Sequence, residues 1–349
     1  MFEYGPEELN TDHHIQSSVS VGSAFDTTLC RLWDQKMADG VFRYNLDHVK
    51  RKTLPGRFGI QVQLNEKRFT QRRKPETEST QVVMPFDADK FNFTKIKETE
   101  LLMRLKWNGE NGGAEMVDQI VINMAPIEYG HSLILPRCLD CLPQVLTRDA
   151  VVVAIHTCLM SLRPGFVAGF NGLRALASVN HLHIQTMYIE GELPIALASV
   201  QHVHKELFVL HKYMVNGFVL QLADVKDVET LSSNVVKITD FLCTNNTPLN
   251  MVMCMRKLLQ STSINDGVSA DKTYVTVFII PKLPSPGVTD DAFNNAFLEV
   301  AGYIPLKDSV DYEGMCETDV LRVLAKYTLR EPEFDRLREM VVNLLDNYL

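Results

Sequence analysis

The sequence predicts an α+β fold: an antiparallel sheet with flanking helices, arranged as two similar halves. Three observations predict it. Residues 59–67 alternate apolar Ile60, Val62 and Leu64 with Gln61, Gln63, Asn65 and Lys67, the period of two of a half-buried strand. Residues 149–162 carry apolar side chains at helical spacing and stop at Pro164-Gly165. Short apolar runs stand on both sides of that helix, and strands gathered around few helices on one side of a sheet are the α+β pattern.

Taken in order, the first 30 residues are polar and irregular, with Ser17-Ser18-Val19-Ser20, and are expected to form a poorly fixed arm. Residues 25–49 mix apolar and polar positions at helical spacing. Strands are expected at 119–124, at 132–135 (ended by Pro136) and at 180–188. The second half repeats the pattern without repeating the residues. Strands are expected at 216–222 and 273–280, the latter ended by Pro281, and helices at 318–327, with Thr318 as N-cap, and 331–348. The expected organisation is therefore an arm of 1–30, a first half of 31–213 and a second half of 214–349.

Composition excludes several function classes. In 349 residues, 46% are hydrophobic and 22% charged, which suits a globular chain. A net charge of -8 argues against nucleic acid as a partner, since coating phosphates needs a basic face, but leaves room for a local basic pocket. No apolar run approaches the 18 residues of a membrane span, and the acidic Met1-Phe2-Glu3-Tyr4-Gly5-Pro6-Glu7-Glu8 has no apolar signal core. The expectation is a cytoplasmic protein with no membrane partner and seven reduced cysteines. Cys138 and Cys141 form a lone Cys-x-x-Cys. A structural zinc needs four ligands and no second pair is evident, so two ordinary thiols and no metal are expected.

The run His181-Leu182-His183-Ile184-Gln185 carries the chemistry. On a strand, residues i, i+2 and i+4 share a face, so His181, His183 and Gln185 point one way while Leu182 and Ile184 point to the core. Three polar groups on one face are costly to bury without partners, and a pocket floor supplies them. A neutral imidazole is a good nucleophile near pH 7, and attack on a phosphoanhydride gives a nucleotidyl-histidine that splits one transfer into two steps. The bland alternative is a pair of satisfied strand histidines. His202-Val203-His204 serves as a control: its surroundings read as helical, where i and i+2 face different ways. Upstream, Asn171-Gly172 and Ser178 offer a turn with small polar groups beside the run, and His131 opens the strand at 132–135. Between Arg43 and Lys74 there are ten Lys or Arg against Asp47 and Glu66. A solvated face is one reading, and an electropositive rim for an anionic substrate is the other. Arg57 and Lys67, near the ends of the strand at 59–67, are the preferred candidates for it, whereas Arg72-Arg73 can lie in a turn before Pro75. In Phe91-Asn92-Phe93-Thr94-Lys95 a ring can sit beside a base with Asn92 or Lys95 on polar atoms, or both Phe can be core.

Together, Gly130-His131-x-Leu-Ile-Leu-Pro136, Asn171-Gly172 and Ser178-Val179-x-His181-x-His183-x-Gln185 resemble the histidine triad superfamily, and Gln185 in place of a third His resembles its galactose-1-phosphate uridylyltransferase-like branch. Leu54-Pro55-Gly56-Arg57-Phe58-Gly59, Gln63-Leu64-Asn65-Glu66-Lys67-Arg68, Pro85-Phe86-Asp87 and Phe91-Asn92-Phe93-Thr94-Lys95 narrow the resemblance to the GDP-hexose phosphorylases. It is close over residues 40–215 and general beyond. The resemblance implies two histidine-triad-like halves, the second non-catalytic. It implies conversion of GDP-D-glucose and inorganic phosphate to GDP and glucose 1-phosphate through a guanylyl group on His183, with GDP-L-galactose as the alternative substrate. His181 and Gln185 would be catalytic beside His183. Asn171 and Ser178 match ribose- and phosphate-contacting positions, and no cofactor or metal is required. His131, Arg57, Lys67 and Lys95 complete the substrate-binding candidates. A hydrolase or binding protein of the same fold is the rival from another class, and a homodimer is left open.

Overall fold

The computed structural model of the chain describes residues 1–10, 22–73, 79–109, 117–259, 272–285, 287 and 289–346. All the expected strands but the one at 59–67 meet in one large sheet. Its order is Phe2–Tyr4, Leu101–Trp107, Val117–Ile122, Ser132–Leu135, Ile184–Tyr188, Phe166–Asn171, Leu249–Lys257, Thr273–Pro281, Phe218–Gln221, Leu207–Leu210 and Val200–His204. Every neighbouring pair is antiparallel except the first, where Phe2–Tyr4 runs parallel to Leu101–Trp107. A second sheet has the order Tyr303–Leu306, Gln61–Leu64, Lys50–Thr53.

The α+β class expected from the sequence is the class observed, but helices cover both faces of the large sheet rather than one. Helices Ala24–Ala38, Arg148–Met160, Val228–Thr244 and Glu331–Asp346 pack on one face, meeting Ile184, Phe170, Met251 and Val277. The opposite face, through Val167, Met187, Val252 and Phe278, receives the small sheet and the short helices Phe297–Val300, Ser309–Gly314 and Glu317–Leu324. The strand Thr273–Pro281 shows why a period of two does not mark every strand. Its Val275, Val277 and Ile279 meet the first layer while Phe278 and Ile280 meet the second, so both faces are apolar.

Several expected boundaries move. The arm of 1–30 is not irregular throughout. Phe2–Tyr4 is an edge strand, and the helix from Ala24 is capped by Ser23, whose hydroxyl accepts from the Asp26 N–H. Ser17 to Ser20 lie outside the described residues. The strand at 59–67 shortens to Gln61–Leu64, because Asn65 caps a helix Glu66–Gln71. The expected helix at 318–327 is Glu317–Leu324, and its N-cap is Cys316, not Thr318, since the Asp319 carboxylate one turn in accepts from the Cys316 N–H. His202 and His204 lie on the edge strand Val200–His204, not on a helix. Their neighbours Phe208 and Leu210, with which this segment pairs, supply the cross-strand partners that decide for a strand.

Candidate active site

At the middle of the large sheet the strands Phe166–Asn171 and Ile184–Tyr188 lie side by side, with Gly169 opposite Gln185. On the face away from the long helices they floor a cavity of about 1070 Å³ that His183, Gln185, Asn171 and Ser178 line. Gly169 makes room for one wall. A Cβ there would stand 1.9 Å from the Phe297 ring, so only glycine lets the Phe297–Val300 helix sit down on the strand. That contact places the Phe297 N–H 2.8 Å from Asn171 Oδ1, which also accepts from Asn250 Nδ2 at 2.8 Å. The oxygen of Asn171 is thus used up, and its NH₂ is the group left for a ligand.

His183 precedes the strand, which begins at Ile184, and other groups hold it. Its N–H donates to Gln144 Oε1 at 2.9 Å, and Gln144 Nε2 donates back to the carbonyls of Asn171 and His183. His183 Nδ1 lies 2.8 Å from the His181 carbonyl. A carbonyl only accepts, so Nδ1 carries the proton and Nε2 keeps a lone pair. No protein group among the described residues bonds that Nε2. Burial pushes the His183 pKa down to about 4, with the His181 carbonyl opposing the shift and the His181 ring adding to it, so the ring is neutral at pH 7.

His181 is arranged the other way. Its Nδ1 accepts the Phe93 N–H at 3.0 Å and its Nε2–H donates to the Cys138 carbonyl at 3.0 Å. Both nitrogens are taken by backbone, so its ring clamps the segment carrying His183 and is packed between Phe86 and Phe93. Phe93 also lies 5.0 Å from the His183 ring, so this Phe is a wall of the site. His131 is wholly buried and outside the cavity lining. Its Nδ1 accepts from the Ile127 N–H, which leaves Nε2–H to donate to Gln185 Oε1 at 3.1 Å. Burial and the nearby Arg68 hold His131 well below its ordinary pKa, with the Gln185 bond opposing them. With its oxygen occupied, Gln185 turns its NH₂ to the cavity.

The cations are not where the sequence placed them. The Arg57 guanidinium donates to the Lys212 carbonyl at 3.0 Å, Lys95 Nζ to the Asp89 and Lys90 carbonyls, and neither these two nor Lys67 lines the cavity. Arg43, Arg68, Arg72, Arg73 and Arg174 do, against Glu100 and Glu299. The helix beginning at Glu66 explains the change: spacing of four, not two, sets the shared face, and it brings Arg68 and Arg72 together. Arg174 sits in a turn where Arg174 and Leu176 take left-handed φ of 59° and 74°, a conformation costly for such side chains and common around ligands. Gln144 and Asn250 were invisible to sequence reasoning, because nothing local marks a side chain that braces a distant backbone. Cys138 and Cys141 are unpaired thiols in a short turn, where the Cys138 carbonyl serves His181.

The histidine segment and most of the cavity wall fall within residues 24–187, which match the family described as GDPGP1-like, N-terminal domain. Residues 190–348 match GDPGP1-like, C-terminal domain. The chain belongs to the GDPGP1-like family. Among relatives of this family member, GDP-D-glucose phosphorylase 1 of Danio rerio is 35% identical over 93% of this chain and 92% of its own. That of Homo sapiens is 34% identical over 93% and 84%. GDP-L-galactose phosphorylase 2 of Arabidopsis thaliana is 30% identical over 90% and 74%. The crystal structure of yeast Ap4A phosphorylase Apa2 superposes with a TM-score of 0.61 at 14% identity, covering 88% of this chain and 98% of that one, a likeness of fold alone. No helix among the described residues is long and apolar enough to cross a membrane.

Proposed function

We propose that this chain is a GDP-hexose phosphorylase that converts GDP-D-glucose and inorganic phosphate to GDP and glucose 1-phosphate, with His183 Nε2 as the nucleophile. The observation that carries the reading is the state of that ring: buried, neutral, with Nδ1 committed to a carbonyl and Nε2 open to a cationic cavity. Relatives that bear the phosphorylase name over nine-tenths of the chain supply the reaction.

In the first step Nε2 attacks the α-phosphorus. The bond from that phosphorus to the bridging oxygen breaks, and glucose 1-phosphate leaves with the electron pair. In the second, a phosphate oxygen attacks the same phosphorus, the P–N bond breaks and GDP departs, returning His183 to its starting tautomer. The Gln185 NH₂ donates to a non-bridging oxygen as charge builds there, and Asn171 and Ser178 hold the ribose and phosphate. His181 acts by fixing the backbone carbonyl that His183 Nδ1–H requires. His131 acts by aiming Gln185. The division into a catalytic half of 31–213 and a non-catalytic half of 214–349 belongs to this proposal, as does a cytoplasmic location, which seven unpaired thiols favour.

The deciding experiment compares products with and without phosphate. Phosphorolysis gives GDP that rises with phosphate. GMP formed at a rate indifferent to phosphate would mean a hydrolase. The Arabidopsis relatives favour a second reading, GDP-L-galactose as the preferred sugar nucleotide, and kcat/KM on the two substrates decides between them.

A further inference from the structure

Arg68 and Arg72 stand one turn apart at the two ends of a single helical turn, where the Arg72 N–H donates to the Arg68 carbonyl at 3.1 Å. Like charges at this spacing repel. Both side chains are half-buried in the cavity wall, and burial depresses both guanidinium pKa values, with Arg68 depressing Arg72 further. Among the described residues no carboxylate lies within ion-pair distance of either. Arg68 spends one N–H on the Ala125 carbonyl, and the Arg72 guanidinium stands over the Phe69 ring, 5.9 Å from its centroid. Among the described residues the carboxylate that acts on both is Glu299, and it is a weak counter-charge: burial lifts its pKa to about 7, and it faces Lys282 as well. Two desolvated, repelling cations with no carboxylate paired to them among the described residues are a cost that those surroundings do not offset. They become favourable when a ligand brings the anion.

The two anions of the proposed reaction differ. The α-phosphoryl group, an ester to the ribose on one side and an anhydride on the other, carries one charge, whereas free phosphate and the terminal phosphoryl of GDP approach two. A pair of guanidinium forks matches the second. Its position fits too. Arg68 donates to the Ala125 carbonyl, Asn123 accepts from the Ala125 N–H and lies 3.1 Å from His131 Nε2, and His131 is bonded to Gln185, so the pair lines the cavity on the Gln185 side of the floor. We infer that Arg68 and Arg72 form the seat of the phosphoryl group next to the reacting phosphorus, holding the phosphate of the departing hexose 1-phosphate in the first step and the attacking inorganic phosphate in the second. An in-line leaving group and an in-line attacker must use the same place, so one seat serves both. This assignment rests on the phosphorylase reading and names residues for it.

Equilibrium binding of GDP and GMP to the full chain tests it, with the KM for phosphate alongside. In Arg72→Ala, GDP affinity is expected to fall about ten- to a hundredfold while GMP affinity stays within twofold, and the KM for phosphate rises to a similar degree. Equal loss of GDP and GMP, or loss of neither, overturns the seat. Arg68→Lys and Arg72→Lys keep the charge but remove the fork. They give the same GDP-selective loss at smaller size should the alanine variant not fold. Wild-type protein that bound ADP as tightly as GDP would count against the guanine reading instead, and the diphosphate-to-monophosphate comparison would still decide the seat.

Discussion

His181-x-His183, just before a central strand, and His202-x-His204, on an edge strand, share a spacing, and the protein treats them differently. In the first pair three of four ring nitrogens are bonded to backbone groups under a buried cavity, and one, His183 Nε2, is left open. In the second pair His202 Nε2 meets the Lys205 carbonyl at 2.7 Å and His204 Nε2 meets Asp346 at 2.8 Å, at the surface edge of the sheet, and neither lines the cavity of His183. The difference teaches that the motif does not make the nucleophile. Burial without a partner for one nitrogen, and with a firm partner for the other, makes it.

Removing the open nitrogen gives the largest expected effect. His183→Ala should lower turnover on the order of 10⁴-fold or more and abolish a guanylyl adduct detectable by intact-protein mass, whereas His202→Ala and His204→Ala keep both within twofold. An adduct surviving in His183→Ala, or lost in His202→Ala, breaks the comparison. Next is Gln185→Leu, which deletes one donor to the developing charge. A fall of about 10²- to 10³-fold in kcat with little change in GMP affinity is expected. If GMP affinity falls in step, Gln185 holds the ground state and its assigned role is wrong.

How much of this was legible follows from what each signal depends on. The His-x-His-x-Gln run stands out because its spacing is local, but the expected strand at 180–188 begins only at Ile184, and His181 lies outside the cavity lining with both ring nitrogens on backbone groups, so the three side chains do not share one strand face. The edge strand at His202 is not legible locally, because its apolar partners, Phe208 and Leu210, lie beyond a turn. A strand carried to residue 67 favours Arg57 and Lys67 as the cations at its ends. Once Asn65 is seen as a cap, the four-residue spacing picks Arg68 and Arg72 instead. Gln144 and the roles of His131 and His181 needed tertiary contacts, since only those say which ring nitrogen is spent.

A smaller effect sharpens the contrast in stability. His181→Ala leaves the Phe93 N–H and the Cys138 carbonyl without their partner, at about 1–3 kcal/mol for each group left buried and unpaired. His202→Ala, on an exposed residue, is expected within about 0.5 kcal/mol. Urea unfolding midpoints measure both. Equal midpoints for the two variants would mean that the His181 clamp contributes nothing.

The mildest test uses pH. Burial holds His183 near 4 in the folded chain against an ordinary 6.5, so the folded state resists its protonation. Between those two values the unfolded state binds the extra proton. Stability therefore falls as pH drops through 6.5 towards 4, by up to about 1.4 kcal/mol per pH unit from this one ring, and His156, pushed down to about 4 by burial, adds to it. Reactivity runs differently over the same window. Nε2 keeps its lone pair while the ring is neutral, so the rate of glucose 1-phosphate release in a single turnover without added phosphate should stay level from pH 8 to 5 and decline only near 4. A decline centred at 6.5 in rapid-quench measurements would mean an imidazole exposed like any surface histidine, and the contrast between the two pairs would lose its physical basis.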